Sequence, residues 1–247
     1  MNFIRLLPTF FVFVFIFMVS CSNDDVEDEI RFPILERGTW FSEKIWCHRV
    51  NTIEKVKRVE LLWKGLEIDI VYVNEQLFVK HAAEDTTMLT LQQLLEAMED
   101  SHSHYFWFDL KNIDPDNYVA LSSALISVIK SYSSINDCII ESWMPSYMSG
   151  FVDEGCHTSF FINFSGMNTA EEVAERIESI NRYVISNRIS AISSNIFDYD
   201  LMKQYFPDFN KLTWYSSTNQ SIIDSLRDVI ADDITLQVCL FEEQSMF

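Results

Sequence analysis

Between Leu66 and His81 the chain reads Leu-Glu-Ile-Asp-Ile-Val-Tyr-Val, then Asn-Glu-Gln, then Leu-Phe-Val-Lys-His. The first eight of these residues alternate with period two and are rich in β-branched and aromatic side chains, the pattern of a strand. Glu67 and Asp69 then project from one face. Adjacent carboxylates repel unless a cation lies between them or water solvates both, so a strand that holds two of them among residues fit for burial reads as a site. His81 ends a second short apolar run, where the chain could turn back over the acids. Further polar residues fall at the ends of other apolar runs: His48-Arg49 and Asn51 after the first, Asp109-Leu110-Lys111 after the third, Glu141-Ser142 after the fourth, and Trp214 in the seventh. Carboxylates for a divalent cation, Arg and Lys for phosphate oxygens, and two imidazoles for proton transfer are what such a set supplies.

The elements that must position these residues follow from spacing. Strand patterns cover 44–47, 66–73, 105–110, 137–142, 158–162, 189–193, 211–215 and 234–240, and helical patterns begin near Thr52, Thr90, Asp116, Pro145, Thr169, Tyr199 and Ser221. Asn168-Thr169 before Ala170-Glu171-Glu172, and Asp114-Pro115-Asp116 before a run with Leu121, Leu125 and Ile129, are helix starts. Eight strands alternating with seven helices predict an α/β fold with a parallel sheet, closed at this chain length into a single (β/α)₈ barrel. In such a barrel the chemistry sits at the C-terminal ends of the strands, where the residues above fall.

Composition agrees with a folded core: 247 residues, 48% of them hydrophobic, with 5 Gly and 5 Pro. A net charge of −19 with no basic run argues against nucleic-acid binding. Residues 1–20 carry Arg5 and then an apolar run from Phe10 to Val19, the pattern of a secretory signal, and Met18-Val19-Ser20-Cys21 resembles a bacterial lipoprotein processing site. The expected organisation is a signal peptide at 1–20, lipidation at Cys21, an acidic tether at 21–40 and the barrel at 41–247. The tether resembles those of surface-exported lipoproteins of Bacteroidetes. The chain is thus expected to be exported and lipid-anchored to a bacterial membrane, at the outer membrane or cell surface. Cys47, Cys138, Cys156 and Cys239 lack metal-ligand spacing and read as buried thiols. His102, His104 and His157 read as structural or solvated, and Trp143 and Phe151 as packing residues.

His48-Arg49 at a first strand end, Glu67-x-Asp69 after a Gly, the step to His81, Thr90-Leu91 opening a helix, and Asp109-x-Lys111 together resemble the signature of the glycerophosphodiester phosphodiesterases, (β/α)₈ barrels of the phospholipase C-like phosphodiesterase group. The likeness covers residues 44 to 111, with Trp214 similar to a family tryptophan near the site. It implies His48 and His81 as general acid and base, Arg49 and Lys111 at the phosphate, and Glu67, Asp69 and Asp109 around Ca²⁺ or Mg²⁺. Asn51, Glu141 and Trp214 would line the pocket. The pattern departs from the family at Val50, where Gly is usual, at Ala82, where Asp is usual, and at Asp109, where Glu is usual; the insertion after the second His is nearly absent. The run His48 to Asn51 is also similar to the menorin-like proteins.

The resemblance implies metal-dependent hydrolysis of a small or lipid-derived phosphodiester, with one histidine deprotonating the nucleophile and the other protonating the leaving alkoxide. The alternative is a catalytically degenerate barrel lipoprotein that binds a phosphate or glycan ligand at the cell surface.

Overall fold

The computed structural model describes residues 39–82, 86–167, 169–216 and 219–246. The signal segment, Cys21 and the tether as far as residue 38 lie outside the described residues.

Eight parallel strands close on themselves: β1 (Ile45–Cys47), β2 (Gly65–Val73), β4 (Tyr105–Leu110), β5 (Cys138–Ser142), β6 (His157–Phe161), β7 (Ala191–Asn195), β8 (Asn210–Tyr215) and β9 (Leu236–Phe241). Closure is made by β1, which pairs in parallel with both β2 and β9. Among the described residues seven helices accompany them: α1 (Ile53–Val59), α2 (Leu91–Glu96), α3 (Tyr118–Tyr132), α4 (Ser149–Asp153), α5 (Ala170–Ser186), α6 (Tyr199–Tyr205) and α7 (Gln220–Asp232). This is the (β/α)₈ barrel expected from the alternation of patterns.

Strand pleating sorts the buried residues into two populations. Leu66, Ile68 and Ile70 of β2, Phe106, Phe108 and Leu110 of β4, and Cys138 and Ile140 of β5 face the helices and form the outer core. The opposite faces supply Trp46, Trp107, Ile139, Ala191, Leu212, Val238 and Leu240 to a separate core inside the barrel. Trp46 can lie there because residue 65 is glycine: a Cβ at Gly65 would come within 2.1 Å of the Trp46 indole. The lower mouth is stoppered by Phe41, which is buried, and by Trp40, whose ring stacks on His157 at 4.1 Å and whose N–H donates to Gln237 Oε1 at 2.9 Å. Trp40, the last residue of the expected tether, thus packs with the barrel.

Three local differences from the sequence pattern have plain causes. The apolar run before His81 is a ninth strand, β3 (Gln76–Val79), antiparallel to β2 and outside the closed ring. Asn74 and Glu75 have φ of 50° and 62°, the two left-handed residues of a tight hairpin that folds the chain back. Near Pro145 a 3₁₀ turn (Pro145–Tyr147) precedes the five-residue α4. Asp114 Oδ1 accepts from the N–H groups of Asp116 and Asn117, each at 2.9 Å, and holds the turn before α3, which starts at Tyr118. At α5, Thr169 and Glu172 make a reciprocal capping box. The four cysteines are free and buried. His104 is a buried structural residue, with its ring against the carbonyls of Asp100 at 2.9 Å and Glu60 at 2.8 Å.

Candidate active site at the C-terminal mouth

The inward face of β2 places Glu67 and Asp69 at the upper mouth, and register carries the series across the sheet: Asp69 pairs with Asp109, and Asp109 with Glu141. One carboxylate oxygen from each of Glu67, Asp69 and Asp109 lies within 4.8 Å of the others. Burial and the neighbouring Asp69 and Asp109 hold the Glu67 carboxyl well above the usual carboxylate range. Burial also raises Asp109, against the opposing charge of Lys111.

Lys111 is drawn into this cluster. Its Nζ lies 2.6 Å from Asp69 Oδ1 and donates to Asp109 Oδ2. Burial works against the charged ammonium, but Asp109 and Asp69 outweigh it, and the lysine pKa is raised. The cluster thus already recruits a cation. Three carboxylates offering hard oxygen donors at this spacing fit a divalent cation.

Two of the three acids are held from behind. Arg49 N–H donates to Glu67 Oε2 at 2.6 Å, and Val50 N–H to the Glu67 carbonyl at 2.7 Å. Arg49 takes φ of 53°, uncommon for a residue with a side chain, at the point where the chain turns to present both its backbone N–H and its exposed guanidinium. Asn51 clamps Asp69, with Nδ2 donating to Oδ2 at 2.5 Å and Oδ1 accepting from the Asp69 N–H at 3.0 Å. Asn51, expected in the pocket, thus serves as the support of an acid.

The mouth encloses about 470 Å³, with His48, Arg49, His81, Lys111, Glu141 and Trp214 on its walls besides the three acids. His48 is buried, and its Nε2 lies 3.8 Å from Glu67 Oε2. The hairpin returns His81 to the same mouth, since Lys80 N–H donates to the Asp69 carbonyl at 3.1 Å, but among the described residues nothing hydrogen-bonds the His81 ring. Glu141 is buried beneath the acids, and Oε2 has no hydrogen-bond partner among the described residues. Burial, and then Asp109, push its pKa well above the usual range. Trp214 of β8 packs at 5.4 Å from Phe161 of β6, across the intervening β7.

Two residues escaped the sequence reading. Trp143, expected to pack, is 58% exposed and lines the mouth; its place directly after β5 was the available signal. Glu242, directly after β9, places Oε1 3.0 Å from His48 Nδ1. It was passed over because the last strand was expected to end at Leu240, two residues short of the acid.

No protein-family model matches the chain, and no curated protein matches it. Solved structures do. A glycerophosphodiester phosphodiesterase from Thermotoga maritima is 13% identical with a TM-score of 0.57, covering 84% of this chain and 97% of its own. One from Parabacteroides distasonis is 14% identical with a TM-score of 0.58, over 82% and 94%. A phosphodiesterase from Oleispira antarctica, in complex with the product sn-glycerol-3-phosphate, is 12% identical with a TM-score of 0.58, over 82% and 94%. At these identities the likeness establishes a shared fold: the chain is built as the glycerophosphodiester phosphodiesterases are, on one closed parallel barrel.

Proposed function

We propose that the protein is a metal-dependent phosphodiester hydrolase of the glycerophosphodiester phosphodiesterase type. The observation that carries this reading is the convergence of Glu67, Asp69 and Asp109 on one point of the barrel mouth, with Arg49, Lys111, His48 and His81 around it. A phosphodiester suits this set because its charge is met by the two cations, while its hydrolysis needs a proton removed from the attacking oxygen and one supplied to the bridging oxygen that leaves. The product complex of the Oleispira antarctica enzyme supports a small glycerol phosphate as the kind of ligand such a mouth accepts.

Glu67, Asp69 and Asp109 would hold Ca²⁺ or Mg²⁺, which when bound polarises a phosphoryl oxygen and offsets the charge that builds in the transition state. Arg49, on its left-handed turn, reaches over the mouth to a non-bridging oxygen. Lys111, released from Asp69, meets the same phosphate. Of the two imidazoles, one takes the proton from the attacking water or substrate hydroxyl and the other returns one to the leaving alkoxide. Asp109, one methylene shorter than the usual Glu, would complete the set of acids that holds the ion.

Hydrolysis of bis-p-nitrophenyl phosphate and of glycerophosphodiesters with added Ca²⁺ or Mg²⁺ tests this, with loss of activity expected on chelation and in His48→Ala and His81→Ala. Full turnover by both variants, or turnover indifferent to chelator, refutes it. The Lys111 ammonium between Asp69 and Asp109 favours one second reading, a binding barrel whose acids are neutralised internally; tight phosphate binding without turnover at any metal concentration would select it. We further infer export and lipid anchoring at Cys21, at the outer membrane or cell surface, from the Met18-Val19-Ser20-Cys21 pattern. Incorporation of labelled fatty acid, lost in Cys21→Ala, is the check.

A further inference from the structure

His48 and Glu242 stand at the seam where the barrel closes. Cys47 and Phe241 are register partners on β1 and β9, and His48 N–H donates to the Phe241 carbonyl at 2.8 Å, so the next residue on each strand is brought face to face. Glu242 Oε1 lies 3.0 Å from His48 Nδ1. The 3₁₀ turn that follows, Glu243–Met246, is tied to α1 by a two-pronged pair in which Arg58 Nε and Nη2 donate to Glu243 at 2.8 and 3.0 Å. On the other side, Lys55 Nζ donates to the His48 carbonyl at 2.7 Å. The imidazole is thereby fixed at its backbone and at Nδ1, leaving Nε2 toward the acids, 3.8 Å from Glu67 Oε2. Among the described residues Ser216 Oγ is a second polar atom near Nδ1, at 3.5 Å.

We propose that Glu242 is a positioning residue for His48: its carboxylate accepts the Nδ1 proton, sets the tautomer that carries hydrogen on Nδ1, and so presents an unprotonated Nε2 to the substrate. A carboxylate is an acceptor only, so a proton between it and Nδ1 must belong to the imidazole. The hydrogen bond from His48 is the main cause that holds the Glu242 pKa below the ordinary glutamate value, in keeping with an ionised acceptor. The same carboxylate stabilises the imidazolium that forms when Nε2 takes a proton, the logic by which a buried acid supports a catalytic histidine.

The kinetic consequence rests on the phosphodiesterase reading, but the tautomer does not. The protein has five histidines, so ¹⁵N-histidine labelling with long-range ¹H–¹⁵N correlation is tractable, and His48 is assigned by the signals lost in His48→Gln. At a pH where the imidazoles are neutral, His48 is expected with Nδ1 protonated and Nε2 bare, and in Glu242→Ala with a mixture or the opposite tautomer. In steady state, Glu242→Ala should lower kcat roughly 100-fold, within the range that general acid–base catalysis contributes, with KM and the Ca²⁺ or Mg²⁺ affinity by calorimetry close to wild type. Glu242→Gln, whose amide oxygen still accepts from Nδ1, should recover part of the loss. A wild-type His48 protonated on Nε2, identical spectra for wild type and Glu242→Ala, or an unchanged kcat in Glu242→Ala would overturn the proposal. If wild type turns over no phosphodiester, the proposed function fails and the spectra alone decide this assignment.

Discussion

Replacing Asn51 by Ala tests whether the acids at the mouth are held for a metal. Asn51 makes two hydrogen bonds to one residue: Nδ2 donates to the buried carboxylate of Asp69, and Oδ1 accepts its N–H. A bond to a charged group contributes about 1.5–3 kcal/mol and a neutral one about 1 kcal/mol, so the metal-free protein should lose about 3 kcal/mol. For a barrel of this size, that lowers Tm by roughly 6–12 °C. Loss of a group that orients a ligating carboxylate typically costs about 10–100-fold in metal affinity. At one fixed, saturating Ca²⁺ or Mg²⁺ concentration, the stabilisation given by the ion should then shrink by about 1.4–2.8 kcal/mol. Calorimetric titration and thermal unfolding with and without the ion measure the two effects separately. A lower Tm with an unchanged metal affinity would show that Asn51 merely packs, and an unchanged Tm would refute the hydrogen-bond reasoning itself.

Other outcomes follow from the same geometry. Glu67 and Glu141 have folded pKa values raised well above the ordinary 4.5, so the folded state binds more protons than the unfolded chain between that value and the raised ones. Stability of the metal-free protein should therefore fall as pH rises from about 4.5 through neutrality, and bound Ca²⁺ or Mg²⁺ should flatten the slope; denaturant melts at pH 5 and pH 8 measure it, and a metal-free protein more stable at pH 8 contradicts it. Gly65→Ala would drive a methyl into the buried Trp46 indole and should destabilise by about 3 kcal/mol, seen as a shifted denaturation midpoint; a shift within error would mean the indole moves freely. Trp143→Ala, at an exposed wall of the mouth, should raise KM several-fold for bulky diesters with little change in kcat, and should alter stability by no more than about 0.5 kcal/mol; an equal loss in kcat would give the indole a part in the chemistry.

The sheet was legible because a buried parallel strand must place its apolar side chains against helices, and Ile68 and Ile70 on one face of β2 left only the lumen for Glu67 and Asp69. The same alternation exposed Asp109, one residue from both Phe108 and Leu110. What spacing could not show was anything that depends on which strand ends meet. Asn51 read as a pocket residue, and only the fold reveals that it is drawn to Asp69. Glu242 is 194 residues from His48, and their contact exists only because the first and last barrel strands pair. The hairpin strand β3 was hidden because its four residues carry too little pattern to separate strand from loop, although Asn74-Glu75 has the composition of a tight turn. Trp143 looked like core because tryptophan usually is.

The seam between β1 and β9 also bears on how the molecule comes to be active. The strands that bring His48 to its carboxylate are the first and last of the barrel, so the pair cannot assemble until both have been made and the ring has shut. Long-separated pairings of this kind are slow to form, and no open, partly wound precursor would carry a supported imidazole. Loss of Glu242 and of the turn Glu243–Met246, with its Arg58 clasp, would leave the three acids in place beside an untethered ring. Hydrolytic competence would then mark closure of the barrel, keeping an open ring inert until β9 has docked on β1.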